Sequence, residues 1–215
     1  MKKIILYLIL FIFVLPLFSC GQTNNDSSIN GLIIDASIKN EVEKNISSLN
    51  FGEVQDKLLI YNNRMFVDYY EDNELMTSTT DKEIKQVFKS FYYWQGDTLG
   101  IDGAFGFFGG VGFSIKITEN KATLYHLLAS DEFPTYAYNE NDNLLFRIEV
   151  PCTDTKIILS KIPDSTKNQV IYGYVEFKSE EYYSSSGSVE EHEISPRKKQ
   201  RVDMKIYFKS TKLNI

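Results

Sequence analysis

The sequence predicts an α+β fold built mainly on an antiparallel β-sheet, able to curl into a half-barrel, with two helices in its N-terminal third. Three observations carry this expectation. From residue 104 onward, apolar and polar residues alternate in run after run, the mark of half-buried strands. Helical spacing of apolar residues is confined to two stretches, 38–49 and 80–91. Helices and strands do not alternate along the chain, so a doubly wound parallel sheet is not expected.

The chain has 215 residues, 43% of them hydrophobic and 14% aromatic, enough for a proper core. A single domain over 31–215 is expected, behind a leader at 1–19 and a short tether at 20–30. Taken in order, 31–34 is a short apolar start. Ser37 can cap a helix whose Ile38, Val42, Ile46 and Leu49 share one face. Residues 57–61 and 64–70 are β-rich runs joined by Asn62-Asn63, a dipeptide that suits a two-residue hairpin. Residues 71–79 are polar and loop-like. Thr80 and Glu83 then form a capping box ahead of Ile84, Val87, Phe88 and Phe91, a second helical stripe that Tyr92, Tyr93 and Trp94 end against the core.

Residues 96–112 hold seven glycines interleaved with Phe105, Phe107 and Phe108. No phosphate-binding glycine motif can be written there. Two readings remain: a strand bent at its glycines, or a ligand groove lined by Trp94, Phe105, Phe107, Phe108 and Phe113. Strands follow at 113–118, 121–129, 144–150 and 156–160, with an Asn- and Asp-rich loop at 131–143 and a turn at 163–167. The last pair, 170–178 and 202–209, is expected to be antiparallel, with Ile171, Val175 and Phe177 sharing a face with Val202, Met204, Ile206 and Phe208. Gly173 hints at a bulge in the first of them. Between the two lies a polar arm near 179–200, whose Glu190, Glu191, His192, Arg197 and Lys198 could dock a partner or simply neutralise each other in solvent.

The leader fixes an address. Lys2 and Lys3 precede an apolar run of fifteen residues, 4–18, broken only by Pro16 and followed by Ser19 and Cys20. That run is shorter than the roughly twenty residues a spanning helix needs. Leu17-Phe18-Ser19-Cys20 resembles the lipobox of bacterial lipoproteins, with Leu17, Ser19 and Cys20 matching the pattern. The resemblance implies cleavage before Cys20, a diacylglycerol on its sulfur and an acyl group on its new amine. The alternative is a plain secretory signal that contains a cysteine. Two or three acyl chains, at about 0.8 kcal/mol per buried methylene, hold a protein firmly on a membrane. Gly21 takes the place where an aspartate retains some lipoproteins in the inner membrane, so the resemblance favours the outer membrane.

Charge and motifs then narrow the function. The formal charge is −6, and removal of Lys2 and Lys3 takes it to −8. Such a domain lacks the basic footprint of a nucleic-acid binder. If Cys20 carries lipid, Cys152 has no disulfide partner; it reads as a buried hydrophobe rather than a nucleophile. His126 reads as a satisfied core histidine and His192 as a solvent-facing one. No zinc, serine-hydrolase or Cys-x-x-Cys motif is present, so no catalytic residue, metal or cofactor is expected. The leading expectation is a non-enzymatic envelope lipoprotein that engages another protein. Its rivals are a small-ligand or lipid binder and, less favoured, a hydrolase with dispersed residues.

Overall fold

The computed structural model describes residues 29–47, 63–78, 89–105, 110–185 and 196–213. The lipobox, the expected strand at 57–61 and most of the expected second helix lie outside these residues. Within them the chain forms, in order, β1 (Ile33–Ile34), α1 (Ile38–Ser47), β2 (Arg64–Glu71), β3 (Glu74–Ser78), β4 (Lys89–Gln95), β5 (Thr98–Phe105), β6 (Gly110–Ile117), β7 (Ala122–Ala129), β8 (Tyr136–Ala137), β9 (Arg147–Leu159), β10 (Val170–Ser179), β11 (Tyr182–Ser184) and β12 (Lys198–Lys212). The strands belong to one mixed sheet, antiparallel except where β1 meets β9 and β4 meets β12.

The pairing runs in a ring. β4 to β7 form an antiparallel meander, β7 pairs with β9, β9 with β10, β10 with β12, and β12 returns to β4. The curl therefore goes beyond a half-barrel and closes. The closing seam is short and parallel, Thr211 beside Phe91 and Lys212 beside Tyr92. Next to it the buried hydroxyls of Ser90 and Ser210 hydrogen-bond to each other. Closure matters because an open sheet edge carries unpaired N–H and C=O groups.

Side chains fill the ring. Leu99, Ile101, Ile115, Val175, Ile206 and Phe208 are all 0% exposed and belong to one core cluster. Two aromatic rings span it: Phe113 and Phe208 lie 5.0 Å apart between centroids. Each folds over the glycine opposite it on the next strand, Phe113 over Gly103 and Phe208 over Gly173, so that a Cβ at either glycine would fall inside the ring. The expected bulge at Gly173 is absent, since β10 keeps a regular register with β12 from Val170 to Lys178. The glycine is there for the ring. The bulge lies farther along, against β9, where Asp154 takes a φ of 49°.

Further expectations are corrected. Residues 89–91, read as the end of a capped helix, open strand β4, and Tyr92, Tyr93 and Trp94 continue it. Alternation wins there because Ser90, Tyr92 and Trp94 stand opposite Gly103, Ile101 and Leu99 of β5. The described residues accordingly contain one helix, not two. Residues 71–78, read as a loop, form the tight end of a hairpin: Asp72 and Asn73 adopt φ of 50° and 71°, and β3 returns along β2. Residues 147–159, read as parts of two strands, are one strand bent at the bulge. The expected antiparallel β10–β12 pair and its shared apolar face are present. Ile29 and Asn30, placed at the end of the tether, already belong to the domain: Ile29 packs on the core, and Asn30 bridges Lys121.

The helix lies outside the ring. Ile38 and Val42 bury against Tyr174, and Glu41 accepts a hydrogen bond from the Tyr207 hydroxyl at 3.0 Å. Asp35, rather than Ser37, supplies the side-chain acceptor at its start, taking the Ser37 N–H at 2.8 Å.

The glycine–ring contacts predict that Gly173→Ala lowers stability by about 1–3 kcal/mol, as overpacking does. Combining it with Phe208→Leu should recover part of that loss. Chemical denaturation of both variants checks this; a neutral Gly173→Ala would show that the ring has room to move.

Candidate functional site

A concave site lies on the outer wall, where β2, β12, β10 and β9 run side by side. Strand alternation puts every second residue of these strands outward. One cross-strand row reads Asp68, Asp203, Lys178 and Thr153; the next reads Phe66, Lys205, Glu176 and Lys156. The bulge at Asp154 brings a further carboxylate beside Lys178, and Val67, Phe177 and Met204 contribute to the lining. The groove has a volume of about 420 Å³.

Its charges are partly cross-linked. Lys178 reaches Asp154 at 3.0 Å, and Lys205 reaches Glu176 at 3.1 Å. Burial raises the Glu176 pKa, but the Tyr174 hydroxyl at 2.8 Å and Lys205 outweigh it and hold the carboxyl below its ordinary range. Asp68 accepts the Ser78 hydroxyl at 2.5 Å. The Asp203 Oδ1 is buried without a hydrogen bond, 3.4 Å from the Arg201 guanidinium. Four lining carboxylates thus face two lining lysines. Asp68 and Asp203 stand directly opposite each other, an unfavourable arrangement for like charges. Such a surface attracts cations and repels anions. Among the described residues no group of three or more His, Cys, Asp or Glu side chains is arranged to hold a metal ion.

The second polar feature is inside the ring. His126 is 1% exposed, with its ring 6.2 Å from that of Phe177 and 5.8 Å from that of Tyr182. Its Nδ1 lies 3.0 Å from the Gly112 carbonyl, which only accepts, so the neutral ring carries its proton there. Nε2 is buried with no partner. The histidine is therefore core, but half satisfied. Burial pushes its pKa down to about 4, against a smaller opposite effect of the Gly112 bond. Burial also pushes the Cys152 thiol up to about 12, and its Sγ–H points to the Val150 carbonyl at 3.7 Å. At neutral pH these are an uncharged imidazole and an intact thiol, neither primed to attack a substrate.

The residues singled out from sequence fall elsewhere. Phe113 is 0% exposed in the core, and half-buried Trp94 packs against the same cluster with its indole N–H buried and unpartnered. Phe105 ends β5, while Phe107 and Phe108 lie outside the described residues. Of the polar arm, Arg197 donates to the carbonyls of Asn139 and Glu140, and Lys198 pairs with Glu71 at 2.6 Å. Both basic residues are thus tied back to the domain. Glu190, Glu191 and His192 lie outside the described residues. Sequence reading missed the outer groove, although Glu176, Lys178, Asp203 and Lys205 occupy the outward positions of the β10–β12 pair it did expect.

No protein-family model matches the chain, and no curated protein or solved structure matches it either.

The buried histidine predicts acid sensitivity. Its pKa is about 4 when folded and 6.5 when free, so between these values the unfolded chain binds a proton that the folded chain refuses. Stability should therefore fall as pH drops through that window, by about 3 kcal/mol in all from this group. Urea midpoints at pH 7 and pH 4.5 for the protein and for His126→Gln measure it. The drop should be clearly smaller in the variant; an equal drop would assign acid sensitivity to the carboxylates.

Proposed function

We propose that the protein is a lipid-anchored lipoprotein of the bacterial cell envelope that acts without catalysis, engaging another protein through the outer wall of its barrel. The anchor is Cys20, on the strength of the Leu17-Phe18-Ser19-Cys20 motif, and the outer membrane is the favoured address. The observation that carries the binding role is where space lies. The described interior of the ring is occupied by its own side chains, whereas the groove of about 420 Å³ opens on the outside and is lined by charges. A small apolar ligand would have to displace fully buried rings such as Phe113, Phe177 and Phe208. A protein surface need only cover the wall.

A groove rimmed with charge around the outward ring of Phe66 has the make-up of an interface: an apolar patch beside polar groups that select the partner. The excess of carboxylates over lysines in its lining selects for a basic one.

Two measurements on native envelopes test the two halves. Replacing Cys20 by Ser should abolish labelling by radioactive palmitate and release the protein from the membrane fraction; retained labelling would remove the anchor. A photo-crosslinking residue at Phe66 or Lys205 should yield a discrete protein adduct, and one at exposed Lys161 should not. Failure of both groove positions to yield an adduct in correctly lipidated protein would remove the protein-binding role.

A further inference from the structure

His126 neighbours two apolar clusters inside the ring. Phe177, at 6.2 Å between ring centroids, belongs to the main core. Tyr182, at 5.8 Å, belongs to a smaller cluster with Leu128, Ile148 and Val150. The strands that carry these neighbours are held very unequally. β6 and β7 pair along all eight residues of each, and β10 pairs with β12 from Val170 to Lys178. β11, by contrast, is three residues long, and the strand beside it, β8, only two. Ser185 adds a hydrogen bond to the Thr135 carbonyl at 2.9 Å, and Lys199 reaches Glu181 of the β10–β11 link at 3.0 Å. That ion pair is largely exposed and contributes little. Short, weakly tied elements are the first to open in a folded protein.

The surroundings of the imidazole offer nothing to receive a positive charge. β6 presents the Gly112 carbonyl, already engaged with Nδ1. β9 presents Val150 directly opposite and, on the same face, the un-ionised thiol of Cys152. β10 presents Phe177, and β11 presents Tyr182, whose own titratable neighbours are Tyr69 and Tyr136. The exposed carboxylate of Glu180 acts on the Cys152 thiol and not on the imidazole. A proton on the buried, unpartnered Nε2 would have no acceptor, so it can be taken up only where water reaches that nitrogen.

We propose that His126 and Tyr182 form a pH-sensitive latch: on acidification His126 takes up a proton, Tyr182 and the β8–β11 segment lift from the end of the barrel, and the rest of the ring stays folded. The lifted end bares Leu128, Ile148 and Val150, an apolar mouth that is covered at neutral pH. The device is separate from the outer groove and stands whether or not the groove binds a protein.

The test is amide hydrogen exchange on the full lipidated chain in neutral-lipid nanodiscs at pH 7 and pH 5, with rates corrected for the intrinsic effect of pH. A group with a pKa of 6.5 when open and about 4 when closed raises the opening equilibrium about twentyfold between these conditions. β8 and Tyr182–Ser184 should show that rise. They should also open at least about tenfold more often than Leu124 and Val175 at both pH values, the mark of a local event. His126→Gln keeps a donor for Gly112 but does not titrate, and should remove the rise. Should that variant fail to fold, Glu181→Gln decides: a rise retained supports the latch, and a rise lost transfers the effect to the Lys199 pair. Three further results overturn the proposal: no rise in β8 and β11, opening equal to that of Leu124 and Val175, or a full rise in folded His126→Gln.

Discussion

The contact between Phe113 and Phe208 is the point on which the rest of the structure turns. The two rings come from β6 and β12, strands far apart around the ring, and meet 5.0 Å apart in its middle. They reach each other only because Gly103 and Gly173 offer no Cβ beneath them. A ring of this circumference would otherwise enclose space. With two phenylalanines laid across it, the space is filled by protein at the close packing typical of interiors. The same contact fixes where binding can occur: a full barrel has only its wall to offer.

The wall is shaped by β12, the longest strand at fifteen residues. On one side β12 pairs with β10 and β11; on the other it is shared, first by β2 and then, at its last residues, by β4. A strand whose edge is divided in this way cannot keep both neighbours in the ring. β4 closes the barrel and β2 leaves it, taking β3 along. The outward faces of β2, β12 and β10 then lie beside one another; α1 covers them around Tyr174 and Tyr207, no other described element covers them toward Asp68 and Asp203, and the bulge at Asp154 supplies the acid at the far side. The groove thus has its origin in the division of the β12 edge.

Much of this was legible in the sequence where alternation was long and clean. The residues of β6, β7, β10 and β12 read as strands because Ile115, Leu124, Val175 and Ile206 recur at period two among polar neighbours. β4 was misread because Phe88 and Phe91 fit a helical stripe as well as a strand, and only the pairing with β5 decides between them. The β2–β3 hairpin is harder to read because Asp72-Asn73 sits in a polar stretch, although two residues tolerant of positive φ beside a β-rich run are a hairpin signal. The purpose of Gly103 and Gly173 was not visible, since a ring seated on a glycine is a contact between strands: 96–112 stayed open between a bent strand and a ligand groove, and Gly173 suggested a bulge that the register does not have. The groove stayed hidden for the same reason. Asp68, Asp154, Glu176 and Asp203 are scattered along the chain, and register alone brings them to one face.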